Sequence, residues 1–555
     1  MNISIIALTV LLLGSACAPG SAPATASQPD AQAGAPKVLT LAIARELDVW
    51  NLDLSRGTRG GGIDLLSTIA HNYLVAEDGF SWVPELAVEQ LSVEKGTWQL
   101  NPDNSMVTTW RIHQNGRWHD GAPFTSDDLM FTFDVMKDPE IPNSSATAVR
   151  IMESASAPDP YTFVINWRAP YVDADQAPWL TPMPRHLLEA AYRSDKAGFP
   201  AHRWMSSEFI GLGPYRLSNW EKGSHLELTR FDQYFRGRPP LDTVVVRFIP
   251  DENARLAGML AGSLDLIPSL GSGIDAALEV RRRWEGTGNR VGGSLSGRFF
   301  TVETQHRTEI ARPDHGLADV RVRRAFYQAI DRQEITDAIN QGLAPPADSW
   351  FFPGHELRPQ LEASIPRFPY DPAAALQQLG QVGWARGSDG IMVHQQTGES
   401  FNVQIKADRA TQKVASIVAD QWRAVGAHVE EFGAAAPGDL EELSTSPGAW
   451  MGSQGFSNMY TDRFHSGYIA GPDNRWTGRN RSGYNSPRLD QILEQLVRTI
   501  EPSKRLPLHR ELLQEQMGNL VVMPLFWEYQ PFFVAKGVKG VGHVSERRIF
   551  DWDKE

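Results

Sequence analysis

From Val38 to the C-terminus, stretches with an apolar residue at every second position alternate with stretches at helical spacing, and no low-complexity tract interrupts them. A chain patterned in this way folds as mixed α/β layers around buried sheet. In YTFVINW, Tyr161, Phe163, Ile165 and Trp167 share one face, as a half-buried strand requires. Val322, Phe326, Ala329 and Ile330 form a helical stripe, and Asp331 with Glu334 makes a capping box ahead of Ile335, Ala338 and Ile339, with Gly342 as the stop. Asp371-Pro372 opens a further helix that ends at Gly383, Val414 to Val425 line another closed by Gly426, and Ser486-Pro487 opens a fourth. At 555 residues the chain exceeds one compact core, so two or three domains are expected. No internal repeat is present, which excludes a solenoid.

The first sixteen residues carry no charge and a Leu/Ile/Val run too short to span a bilayer, the pattern of an export signal over 1–16. Gly14-Ser15-Ala16 then meets the only cysteine of the chain, Cys17, and this junction resembles the lipobox of bacterial lipoproteins, which makes Cys17 the expected acylated residue. The Ala-, Pro-, Ser- and Gly-rich stretch that follows cannot bury enough apolar surface to fold, so 17–37 reads as a tether below a lipid anchor. A formal net charge of −13 argues against nucleic acid as a partner.

The stretch WRIHQNGRWHDGAPFTSDDLMFTF, residues 110–133, concentrates candidate chemistry in Trp118-His119-Asp120-Gly121. The fourteen histidines are scattered, however, and His113 and His119 lie too far apart in sequence for a helical metal pair, so no metal site is expected. GSLSG at 293–297 puts Leu295 where a nucleophile elbow needs serine, and TRGGG from Thr58 lacks the P-loop lysine. No enzyme motif remains, and no cofactor is expected. Each position instead suits a scaffold: Asn115-Gly116 a tight turn that lets Trp110 and Ile112 pair back toward Trp118, Asp120-Gly121 a second turn, and Thr125 with Asp128 a capped helix start.

The same stretch resembles, nearly position for position, the signature of the family 5 extracellular solute-binding proteins of bacterial ABC importers, the peptide and nickel class. GLGPYRLSNWEKGSHLELTRFDQYFRGRPPLD from Gly211 is similar to a second block of that family, and DVRVRRAFYQAIDRQEI, YDPAAALQQLGQVGW and NRSGYNSPRLDQIL to three more, in the family's order.

The resemblance implies a two-lobed periplasmic-binding-protein fold of α/β class, with an extra domain in the first lobe and the ligand enclosed between lobes. The expected segments are 38–60 and 206–295 of the first lobe, an extra domain over 61–205, a second lobe over 296–505, and a return to the first lobe over 506–555. It further implies a monomeric, non-enzymatic protein outside the cytoplasm that hands its solute to an ABC permease. A chemosensory role is the alternative within the same fold, and a secreted hydrolase the alternative outside it.

Peptide-binding relatives carry an aspartate for the peptide's ammonium in a segment that here reads Gly455-Phe456-Ser457-Asn458-Met459-Tyr460-Thr461-Asp462-Arg463. Met459 stands at the acidic position, which leaves Asp462 as the substitute amine anchor and Arg463 or Arg479 for a carboxylate. An oligopeptide is one expected ligand. The other is an oligosaccharide or other uncharged solute, for which Trp450, Phe456, Tyr460 and Trp476 offer stacking faces and core packing is the competing role of the two tryptophans. Asn458 suits either ligand, and Arg59 with Gly60 and Gly61 is the expected cleft loop of the first lobe.

Overall fold

In the computed structural model of the chain, the residues described are 35–50, 63–78, 81–141, 146–176, 180–268, 273–433, 440–460, 462–541 and 549–555. The signal segment, Cys17, and the loop with Arg59, Gly60 and Gly61 lie outside them. Lys37–Glu555 forms one compact unit.

Its spine is a ten-stranded mixed sheet in the order His428–Gly433, Asn402–Ala407, Ala449–Gly455, Arg290–Thr304, Met523–Val534, Leu266–Ile267, Val38–Ile43, Thr243–Phe248, His225–Arg230 and Tyr215–Glu221. The two long central strands, Arg290–Thr304 and Met523–Val534, run antiparallel and join two apolar cores. Leu39, Leu41, Val244, Val246, Phe532 and Val534 belong to the first core, and Phe299, Val302, Ile405, Leu525 and Trp527 to the second. This is the two-lobed fold with strands crossing between lobes.

The passage from one core to the other coincides with a break in strand register. Leu295 pairs with Tyr529, but Phe299 pairs with Trp527, so the first strand spends four residues where its partner spends two. Gly297 sits in the bulge at φ +74°, a conformation that costs a side-chain-bearing residue but not glycine. Beside it the Ser296 hydroxyl donates to Glu528 Oε2 at 2.5 Å, and the Gln530 amide donates to the same oxygen at 2.9 Å. Bulges bend strands without breaking the sheet, so this is where the lobes can pivot. The helix Pro502–Gly518 and residues 523–527 pack in the second core through Leu512, Leu513, Met517 and Trp527. Within 506–555, the segment expected in the first lobe, the apolar face of that helix thus has its partners in the second core.

A four-stranded antiparallel sheet, in the order Trp98–Leu100, Met106–Arg111, Thr162–Trp167, Met152–Asp159, lies within 61–205, the segment expected as an extra domain, and packs in the first core. The helices form where local sequence directs them. Asp331 caps Arg332–Asn340 by accepting from the N–H groups of Gln333 and Glu334, Asp371 caps Pro372–Gln381, and Ser486 caps Pro487–Arg498. Gly342, Gly383 and Gly426 follow their helices with positive φ.

The Trp-His-Asp-Gly stretch is scaffold. Trp118 N–H donates to Ala122 O at 2.9 Å and Phe124 N–H to Gly116 O, a tight loop around Gly121. The expected pairing of Trp110 and Ile112 toward Trp118 does not form, because Met106–Arg111 is paired on both edges and Ile112 N–H is taken by Tyr161 O. Asp128, held by burial above the usual carboxylate range, accepts from Thr125 N–H, Arg185 N–H and the Trp118 indole. His119 locks this loop to the Gly211–Tyr215 segment. Its Nδ1 accepts from Gly211 N–H at 3.1 Å and its Nε2 faces Gly213 O at 3.0 Å, so the ring is neutral with the proton on Nε2.

Burial lowers the His119 pKa to about 4 and that of nearby His71 to about 3. In the unfolded chain both rings protonate near pH 6.5, so their contribution to stability is complete above that value and is lost as pH falls from 6.5 toward 4. Denaturant unfolding should show a decline over this window on the order of a few kcal/mol, and His119→Gln, which does not titrate, should flatten part of the slope.

Candidate functional site

The strand Ala449–Gly455 runs along the second lobe beside the crossing strands and ends in two short helical turns, Phe456–Tyr460 and Asp462–Phe464. The first turn builds an aromatic wall. Phe456 stacks on Phe352 with centroids 5.6 Å apart, and Phe352 meets Trp527 edge-on at 5.2 Å. Tyr460 stands edge-on to Trp350 at 5.2 Å and to His509 at 5.1 Å, while His355 closes the group against Phe456. Of the residues expected at the site, Phe456 and Tyr460 are thus brought together, with centroids 6.4 Å apart. Nothing singled out Trp350-Phe351-Phe352, although an aromatic triplet before Pro353-Gly354 was a readable signal.

Met459, at the position of the family's acid, is fully buried in the second core, and its carbonyl accepts from Gln516 Nε2 at 3.0 Å. The Asn458 and Asp462 side chains lie outside the described part of the structure.

Arg463, expected to hold a ligand carboxylate, already has one: Nη2 lies 3.1 Å from Glu303 Oε1, and the Glu303 side chain is only 2% exposed. Gln454 donates to the same oxygen at 2.5 Å. Trp450 lies opposite Glu303 in strand register and is buried, so it does not present a stacking face. Trp476 is half-buried at φ +61° on a separate turn, and Arg479 is exposed beyond it. Of the sixteen tryptophans among the described residues, thirteen are buried, eight of them among the largest fully buried side chains.

The turn Val172–Asp175 has Ala174 in the first core and follows Tyr171, which is stacked on Trp167 at 5.6 Å. This turn packs against the second-lobe helix Pro487–Arg498, and Ile500, just beyond that helix, belongs to the first core. The lobes therefore touch along this rim. Asp173 and Asp175 keep part of their surface accessible while protein surrounds them, as groups lining a cleft do. Desolvation raises both carboxyls, Asp175 to about 6 with the Asp173 charge adding to it, and Arg505 on the second lobe opposes both shifts. Arg505 is itself lowered by burial, and burial followed by the Arg505 charge lowers His509 to about 3. Sequence reasoning missed this ionic group, whose members are separated by more than half the chain.

Among the described residues, no group of three or more His, Cys, Asp or Glu side chains is placed to hold a metal ion, and no helix is long and apolar enough to cross a membrane. The two cores are joined by a bulged pair of strands with an aromatic group beside it, an arrangement that suits pivoting of one core against the other.

Residues 83–464 match the family model described as bacterial extracellular solute-binding proteins, family 5 Middle. A Brucella ovis protein whose name assigns it to the peptide-binding proteins of ABC transporters is 27% identical over 346 residues, 60% of this chain and 62% of that protein. The chain thus matches somewhat under two thirds of the length of that relative. The oligopeptide-binding protein AppA of Bacillus subtilis is 22% identical over 477 residues, 81% of each chain. The structure of AppA in complex with a nonapeptide superposes with a TM-score of 0.68 at 18% identity, covering 94% of this chain and 99% of that one. NikZ of Campylobacter jejuni, in complex with Ni(L-His), gives 0.71 at 19% identity, covering 94% and 100%. At these identities the structural likeness concerns the fold.

Proposed function

The chain belongs to family 5 of the bacterial extracellular solute-binding proteins, and from that premise we propose that it captures an oligopeptide between its lobes and delivers it to an ABC permease. The family consists of solute-binding proteins rather than enzymes and works outside the cytoplasm. The lobe borders we propose lie at the bulge, between Leu295 and Phe299 on the outgoing strand and near Glu528 on the returning one.

The observation that carries the reading is the crossing-strand pair with Gly297 at its bulge, set between two separate cores and beside the wall of Phe456 and Tyr460. A solute that touches both lobes favours the closed arrangement by its differential affinity for it, and a permease can then recognise that closed form. Peptide is preferred over oligosaccharide because Trp450 is buried and Trp476 is half-buried on a separate turn, which leaves little indole surface for sugar stacking. The names of the Brucella and Bacillus relatives point the same way. Tethering through an acylated Cys17 completes the reading and places the cleft just off a membrane surface.

Native mass spectrometry of the protein as purified tests this. A ladder of co-purified peptide masses is expected, with an acyl increment on the mature chain once denatured. Hexose increments, or turnover of any retained solute, would overturn the assignment.

A further inference from the structure

We propose that Ile500 sets the affinity for the solute without touching it: it is a closure residue of the second lobe, docked in the first core two residues beyond the helix that packs on the turn Val172–Asp175, and it leaves that core when the lobes part. This deepens the reading of capture by enclosure and rests on it.

The first argument is the place of Ile500 in the chain. It lies on the connection between the helices Pro487–Arg498 and Pro502–Gly518, and both helices are anchored in the second core, one through Leu489, Ile492, Leu493 and Leu496, the other through Leu512, Leu513 and Met517. Ile500 itself is 8% exposed and belongs to the first core, not the second. Every other member of the first core falls within 39–266 or 532–552, on the first-lobe side of the bulge. One apolar side chain has thus been carried across by its own lobe, and a pivot at the bulge returns it to water.

The second argument is the stiffness of the two surfaces that meet. On the first lobe, Ala174 is packed in the core, Gln90 Nε2 donates to Asp175 O at 2.9 Å, and Gln176 Nε2 donates to Asp173 Oδ1 at 3.0 Å, so the turn is fixed to its own lobe. On the second, Ser486 caps the helix that packs on this turn, the Thr499 hydroxyl donates to Gln495 O at 2.7 Å, and the next helix begins at Pro502. Neither surface has slack to follow the other, so the contact is made or lost as a whole. The helix Pro502–Gly518 also carries His509, whose ring meets Tyr460 at 5.1 Å, so the docking of Ile500 and the placing of the aromatic wall are joined through one element. Full burial of an isoleucine shifts an equilibrium roughly tenfold to a hundredfold. The apparent affinity of a solute that needs the closed form scales with the population of that form, so this contact tunes binding from outside the site.

The test compares Ile500→Val, Ile500→Ala and Ile500→Asp with wild type, each as the full mature chain, using a pool of random tri- to pentapeptides as the probe and calorimetry for affinity. Affinity should stay within about threefold in Ile500→Val, fall roughly tenfold in Ile500→Ala, and fall about a hundredfold or more in Ile500→Asp, whose carboxylate has to be buried on closure. All three variants should melt within a few degrees of wild type, because the side chain faces water in the open form. A residue that served folding alone would lower the melting temperature and leave the affinity of the folded protein unchanged. Wild-type affinity in folded Ile500→Asp, or failure of both Ile500→Ala and Ile500→Asp to fold, would therefore overturn the closure role while leaving the peptide reading in place. Binding of the pool to none of the four proteins would overturn the peptide reading, and the closure role is then read by native mass spectrometry from the solute mass that wild type keeps through purification: Ile500→Asp should retain several-fold less of it, and equal retention would overturn the proposal.

Discussion

Gly211→Ala should cost at least about 3 kcal/mol of stability and is expected to give little soluble protein at 37 °C, because the added methyl has no space and no neighbour that can move. A Cβ at Gly211 would lie 1.9 Å from the Ala70 carbonyl oxygen and 2.8 Å from the Phe209 ring. The oxygen belongs to backbone at the end of the helix Ile63–Ala70, and it already accepts from Gly213 N–H at 3.2 Å. The segment cannot withdraw either, since His119 holds Gly211 and Gly213, and His71 Nδ1 accepts from Leu212 N–H. Gly223 is the control: it has φ +75° with open space around its would-be Cβ, so alanine there should cost only about 1–2 kcal/mol of backbone strain. Urea unfolding of the two variants against wild type checks the contrast.

Glu303→Ala has the second largest expected effect, a loss of about 3–5 kcal/mol, because it removes a buried carboxylate that accepts from Arg463 and Gln454. Arg463 and Gln454 both direct donors at Glu303, and the Arg463 side chain is only 15% exposed. Removing both charges together, as Glu303→Leu with Arg463→Met, should recover much of the loss, since a buried ion pair and an apolar pair of similar volume are often close in stability. Peptide affinity measured in that double variant should stay near wild type. A large drop in affinity with full stability would return Arg463 to the ligand.

Local structure was readable from the sequence because its causes are local. Asp331, Asp371 and Ser486 each satisfy N–H groups two or three residues away, and Gly342, Gly383 and Gly426 end their helices by their own conformational freedom. The scaffold role of Trp118-His119-Asp120-Gly121 could be inferred by eliminating chemistry, but its partner, the Gly211–Tyr215 segment, could not, since that lock joins residues about ninety apart through one imidazole. The sheet order was illegible for the same reason: Val38–Ile43 lies between strands drawn from 243–248 and 266–267.

Site residues divided along this line. Phe456 and Tyr460 follow directly from the strand Ala449–Gly455, so their being neighbours in one turn is a local property. Arg463 leaves the same segment but turns to a glutamate from a different strand, and Trp450 is covered by the layers around it. The contact of the turn Val172–Asp175 with the helix Pro487–Arg498 joins segments about three hundred residues apart, and no spacing in the sequence announces it.

Closure itself is measured most directly by small-angle X-ray scattering of solute-stripped protein, before and after a saturating peptide pool whose binding calorimetry has confirmed. A hinge at Gly297 and Glu528 predicts that the radius of gyration falls on binding as the lobes draw together. An unchanged radius at full occupancy would mean that the two cores move as one rigid body, and the account of capture by enclosure would be wrong.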